Sequence, residues 1–154
     1  MKLIKTVLAA LGLLLLVFLA LAALLASNSS EFLDDNRPFV EQFTRDLSRS
    51  WSVSDVHESL SNEFLRSLDP PEGQEGMRQL KLLGAVVEMS DFEMGNYNAT
   101  TSGTTGIINF KAAFENAKGL VTITLMKRNG KVQVQGFHVS LADGVRPPAG
   151  KTEA

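Results

Sequence analysis

The chain has 154 residues, no cysteine, and 15 Lys plus Arg against 17 Asp plus Glu, for a formal net charge of −2. A chain of this size holds one domain with one modest core. The lack of cysteine excludes a disulfide framework and a lipid anchor on cysteine, and the near-balance of charge without a basic patch argues against nucleic acid as a partner.

Residues 7–26, VLAALGLLLLVFLALAALLA, carry no charge. As a helix rising about 1.5 Å per residue, the run covers the roughly 30 Å hydrocarbon core of a bilayer. Lys2 and Lys5 precede it and Glu31, Asp34 and Asp35 follow it. Positive charge stays on the cytoplasmic side, so everything after Ser27 is expected outside. A cleaved secretory signal shows the same polarity. The one good small-x-small site is Ala20-Leu21-Ala22, and the apolar sequence continues past it. That favours an uncleaved anchor, residues 1–26, holding a single-pass protein in a bacterial cytoplasmic membrane with its C-terminal domain periplasmic or extracellular. Secretion after cleavage is the alternative.

Residues 27–35 read as a polar tether, 36–141 as a domain, and 142–154 as a disordered tail with few apolar residues. Asn36 reads as a helix N-cap with Pro38 in the first turn, and Val40, Phe43, Leu47 and Trp51 form one stripe at helical spacing. Ser52-Val53-Ser54-Asp55 resembles a capping box. The stripe Val56, Leu60, Phe64 and Leu68 then predicts a second helix, stopped by Asp69-Pro70-Pro71. A third helix is expected over 72–83, with Met77, Leu80 and Leu83 inward and Gly84 closing it.

From Ala85 onward the apolar residues alternate, and four strands are expected at 86–99, 104–115, 119–128 and 131–141. Asn129-Gly130 between the last two is a strong hairpin signal. In the last strand Val132 and Val134 share one parity, while Phe137, Val139 and Leu141 share the other. A β-bulge at Gly136 restores all of them to one face, with Phe137 opposite Ile123 and Val139 opposite Val121. A second parity change falls at Gly95, between Met94 and Tyr97.

Three helices followed by a bent antiparallel sheet resemble the cystatin-like roll of the nuclear transport factor 2-like superfamily. More narrowly, the chain is similar to that superfamily's small exported bacterial domains of unassigned function. The stretches that carry the likeness are FVEQFTRDLSRSW, LKLLGAVVEM and LVTITLMKRNGKVQVQGFHVSL. The resemblance implies an α+β fold, with helix 1 across a curved four-stranded sheet and a pocket between helices and sheet.

Enzymes of the ketosteroid isomerase and polyketide cyclase type share that superfamily. They use an aspartate or histidine, often with a tyrosine. Here Asp91, Glu93 and Glu115 lie on strands and Tyr97 is the single tyrosine, but none sits in a matching motif. The catalytic roles therefore do not carry over and no catalytic residue is assigned. The segment VQVQG resembles the Gln-x-Val-x-Gly loop of cystatin inhibitors, yet Val132 stands at the first position, so protease inhibition is rejected. His57 and His138, the two histidines, lack metal-ligand spacing. No metal and no cofactor is therefore expected.

Trp51, Tyr97 and His138 remain as weak candidates for a ligand site. The expected function is a membrane-anchored interaction or ligand-binding module without catalysis, with a small ligand or a protein as partner. The alternatives are a small enzyme of the isomerase or cyclase type using the roll's pocket, or an accessory subunit of a membrane complex.

Overall fold

The computed structural model describes residues 2–142, and side chains within that range except those of residues 2–11 and 25–27. The tail expected to be disordered therefore lies, beyond Ala142, outside the described residues. The described residues form an α+β structure with a long N-terminal apolar helix, two shorter helices and a four-stranded antiparallel sheet.

Helix α1 runs unbroken from Lys2 to Ser50, 49 residues, or roughly 70 Å at 1.5 Å per residue. It does not begin at Asn36, and residues 27–35 are helical. Asn36 is buried, and its Nδ2 donates to the Phe32 carbonyl at 2.7 Å, so the side chain bonds back along the helix instead of capping it. Pro38 lies inside the helix. The domain half buries Phe32, Val40, Phe43 and Leu47 along one stripe. Three small polar residues share that stripe without an unmet bond. Besides Asn36, Thr44 Oγ1 donates to the Val40 carbonyl at 2.8 Å, and Ser48 Oγ accepts from the Val86 amide at 3.0 Å.

Beyond Trp51 the expected second helix is broken. Two 3₁₀ turns, Val53–Asp55 and His57–Ser59, lead to Leu60 in extended conformation, and only then does α2 run, Asn62–Leu68. The capping box at Ser52 is not formed. The working cap is Ser61, whose hydroxyl accepts from the Phe64 amide at 3.1 Å. Serines and aspartate at 52, 54, 55, 59 and 61 offer the backbone local bonds that compete with a helix. Helix α3, Pro71–Lys81, starts with proline at its first turn, where the missing N–H costs nothing.

The sheet runs in the order β1 (Val86–Thr100), β2 (Gly103–Phe114), β3 (Lys118–Arg128), β4 (Lys131–Leu141). The register of β3 and β4 puts Phe137 opposite Ile123 and Val139 opposite Val121. It shifts by one residue between Thr124–Gly136 and Leu125–Val134, so Gln135 is the inserted residue and Gly136 its neighbour. Asn129 and Gly130 both have positive φ, 51° and 76°, as a type I′ turn requires. Strand β1 shifts register near Gly95 and at two further places, Val86/Glu88 and Ser90/Glu93.

The core lies between α1 and one face of the sheet. Ile108 and Phe110 of β2, Val121, Ile123 and Leu125 of β3, and Val134 of β4 are fully buried there. At one end Phe32 meets Tyr97 edge-on, with ring centroids 5.6 Å apart. A Cβ on Gly106 would overlap the Phe32 ring and lie 2.7 Å from Met94 Cε, so glycine sets the approach of helix to sheet. At the other end Trp51 packs on Phe114 and Phe137 at 5.9 and 6.2 Å. Outside β4 the chain adds a short parallel bridge, Leu60 with Val134, where the Ser61 amide donates to the Val134 carbonyl at 2.9 Å.

Candidate functional site

The best-formed concavity is a cavity of about 420 Å³ between the end of α1, the 3₁₀ segment, α2, α3 and β4. Each wall comes from a stripe already described. Leu47 belongs to α1, Val56 and Leu60 to the 3₁₀ segment, Phe64 and Leu68 to α2, Met77 and Leu80 to α3, and Phe137, Val139 and Leu141 to β4. Gly73 joins the two short helices closely, because a Cβ there would overlap the Ser67 carbonyl and come within 2.7 Å of Leu68 Cα. No residue of α2 or α3 is buried. These helices lean on the core without filling the space beneath them, and the void follows from that.

The lining is mostly apolar, with Ser67, Gln79 and His138 as its polar side chains. Ser67, Gly76, Gln79 and His138 are its exposed members and mark the open side. His138 is the one titratable side chain among the lining residues. It sits on β4 opposite Thr122. The charged residues of α3 lie outside, where the Arg78 guanidinium, 2.6 Å from Glu75, holds that carboxyl down at about 2.

The three residues singled out from the sequence are not brought together. His138 borders the cavity. Trp51 is buried beside it, outside the lining, with its indole Nε1 donating to the Gly84 carbonyl at 2.9 Å. Trp51 also closes α1 in the left-handed region, φ 52°, with its amide bonded to the Leu47 carbonyl at 2.7 Å. Tyr97 packs on Phe32 at the far end of the sheet. Sequence reasoning did not single out Gly73; a glycine just after Pro70-Pro71 is the signal that marks the close helix contact, whereas Gly76 has open space around it.

A second, more open depression of about 580 Å³ lies between Glu88, Ser90, Lys111, Lys118 and Leu120. Lys111 there reaches Asp91 at 2.7 Å, and that carboxylate raises its pKa above the usual lysine value. Among the described residues no cluster of three or more His, Asp or Glu is placed to hold a metal ion. Comparison with known proteins gives no match to a family model, a curated protein or a solved structure.

The N-terminal half of α1 is long and apolar enough to cross a membrane. Its side chains over residues 12–24 are exposed, Leu14 at 71% and Phe18 at 73%. A helix apolar on every side is suited to lipid.

Proposed function

We propose that the chain is a membrane-anchored, extracytoplasmic module that binds a small apolar ligand without catalysis. The observation that carries this is the cavity lining, which converges apolar side chains from five elements and offers one exposed imidazole as its only titratable group. Acid–base chemistry needs a positioned proton donor or acceptor facing the reacting atoms, whereas apolar ligands are held by shape and area. The anchor reading draws on the exposed apolar half of α1, and the orientation on Lys2 and Lys5 before it against Glu31, Asp34 and Asp35 after it. The membrane is taken to be a bacterial cytoplasmic one.

The same reading places the fold with cystatin-like rolls of the nuclear transport factor 2-like superfamily. The bulged closing hairpin and the α1 stripe against the sheet support it.

Native mass spectrometry of the full chain released from nanodiscs, after incubation with a panel of straight-chain and aromatic compounds, tests the ligand class. Wild type should carry one bound apolar molecule and Leu80→Trp, which fills the cavity, should carry none. Equal occupancy in the two proteins would remove the cavity as the site.

A further inference from the structure

The position of the sheet along α1 has a definite height relative to the apolar run. Phe32, packed on Tyr97 and against Gly106, stands about 9 Å along the helix from residue 26, at 1.5 Å per residue. Strand β2 runs in the same direction as α1, because Gly106 lies by Phe32 and Phe114 by Trp51. Gly103, where β2 begins, is therefore about 10 Å back toward the apolar run, at 3.3 Å per residue. Leu125 is opposite Gly106, and Arg128, paired with Lys131, lies at the same height as Gly103. Both hairpin tips thus return to the level at which α1 leaves its apolar segment.

The chemistry of the tips is uneven. The β1–β2 tip is Thr100, Thr101 and Ser102, neutral and polar. The β3–β4 tip carries Lys127, Arg128 and Lys131 around Asn129-Gly130. Arg128 Nε donates to the Ser102 carbonyl at 3.1 Å, tying the tips together. Among the described residues no carboxylate lies within ion-pair distance of any of the three cations. The acids at this height, Glu31, Asp34 and Asp35, are exposed on α1, so only the hairpin side is cationic. Neither tip has a large apolar side chain to insert.

We propose that the β3–β4 tip, through Lys127, Arg128 and Lys131, rests on anionic phospholipid headgroups of the membrane that α1 crosses. The proposal rests on reading α1 as a membrane span. Cations within a Debye length of an anionic surface are attracted to it, and salt screens the attraction. The contact fixes the tilt of the domain on its helix.

The native chain has no cysteine, so Thr101→Cys gives a single labelling site at the neighbouring tip. The full chain carrying a fluorophore there is reconstituted into vesicles of neutral phosphatidylcholine, or of phosphatidylcholine with phosphatidylglycerol, each containing lipid with a nitroxide on its headgroup. Quenching should be stronger in the anionic vesicles and weaken with added salt. It should fall to the neutral-vesicle level in a Lys127→Glu, Arg128→Glu, Lys131→Glu variant whose Trp51 emission shows an intact fold. Flotation with both vesicle types, in every variant, reports the anchor separately. Flotation with quenching indifferent to lipid charge and to the triple substitution overturns the proposal alone, whereas failure to float takes the anchor reading down with it.

Discussion

The two halves of α1 share one backbone and are solvated differently. In residues 13–19 seven consecutive apolar side chains are exposed, so every side of the helix there is apolar. In the domain half Phe32, Val40, Phe43 and Leu47 are buried, Leu33 and Phe39 are half-buried beside them, and the more exposed residues form ion pairs such as Arg37–Glu41 at 2.8 Å. Helix formation needs only local hydrogen bonds, so it continues through both halves. The pattern of apolar side chains decides what surrounds each. An all-round pattern calls for lipid, and a stripe calls for a sheet.

The largest expected contrast is a pair of identical substitutions. Phe43→Ala should destabilise the domain by about 3–5 kcal/mol, the range for truncating a buried aromatic, as measured by chemical denaturation. Phe18→Ala, at 73% exposure, should leave that curve within about 0.5 kcal/mol of wild type. Similar losses in both would break the division between the halves. The reciprocal change is Leu16→Arg, expected to cost about 3–4 kcal/mol in membrane insertion. Inserted fraction in microsomes should drop while Trp51 emission stays fixed.

A smaller effect is expected in β4. The bulge is present, yet a Cβ on Gly136 would meet only Thr124, at 3.6 Å, and Gly136 does not have a positive φ. The destabilisation that the parity flip alone suggests for a side chain there is therefore not expected. Gly136→Ala should shift stability by no more than about 0.5 kcal/mol, and a loss several times larger in thermal unfolding would mean the bulge requires glycine.

The smallest effect concerns the exposed Glu75–Arg78 pair on α3. The Glu75 pKa is depressed from 4.5 to about 2, so whatever stability the pair contributes is full above 4.5 and is lost as pH falls through about 2. The difference between wild type and Glu75→Gln should be slight in neutral solution, where exposed pairs contribute little, and should close in acid. A difference that widens in acid would contradict the sign.

Much of the sheet was legible because its signals are local. Alternation placed all four strands, Asn129-Gly130 placed a turn, and the parity change between Val134 and Phe137 placed a bulge. Two of the three register shifts in β1 went unread in the sequence. No residue of β1 is fully buried, yet its apolar residues packed on the core, Val86, Met89, Phe92, Met94 and Tyr97, change parity at each shift; exposed Val87 beside Val86 hides the first change. The unity of α1 was hidden by Asn36 and Pro38, which have the chemistry of a helix start; only the buried Asn36–Phe32 bond shows the asparagine turned along the helix. The stripe Val56, Leu60, Phe64 and Leu68 pointed inward as its spacing implies, but through 3₁₀ turns and an extended residue. The cavity beneath it was not legible in the residues themselves; a pocket between helices and sheet entered only as an implication of the resemblance. Each lining residue reads as ordinary core, and the void depends on how far α2 and α3 stand from β4, which no single segment encodes.

The Leu60–Val134 bridge and the irregular β1 together decide how the sheet's two margins behave toward other copies. A chain confined to a membrane plane meets its neighbours side on, at high local concentration, and a straight bare strand would template pairing between them. On β4 part of the outward backbone is already spoken for by Leu60 and Ser61. On β1 the three register shifts bend the margin, and Glu88, Asp91 and Glu93 sit along it with exposed charge. Neither side offers a long flat template for edge-to-edge pairing of the domains.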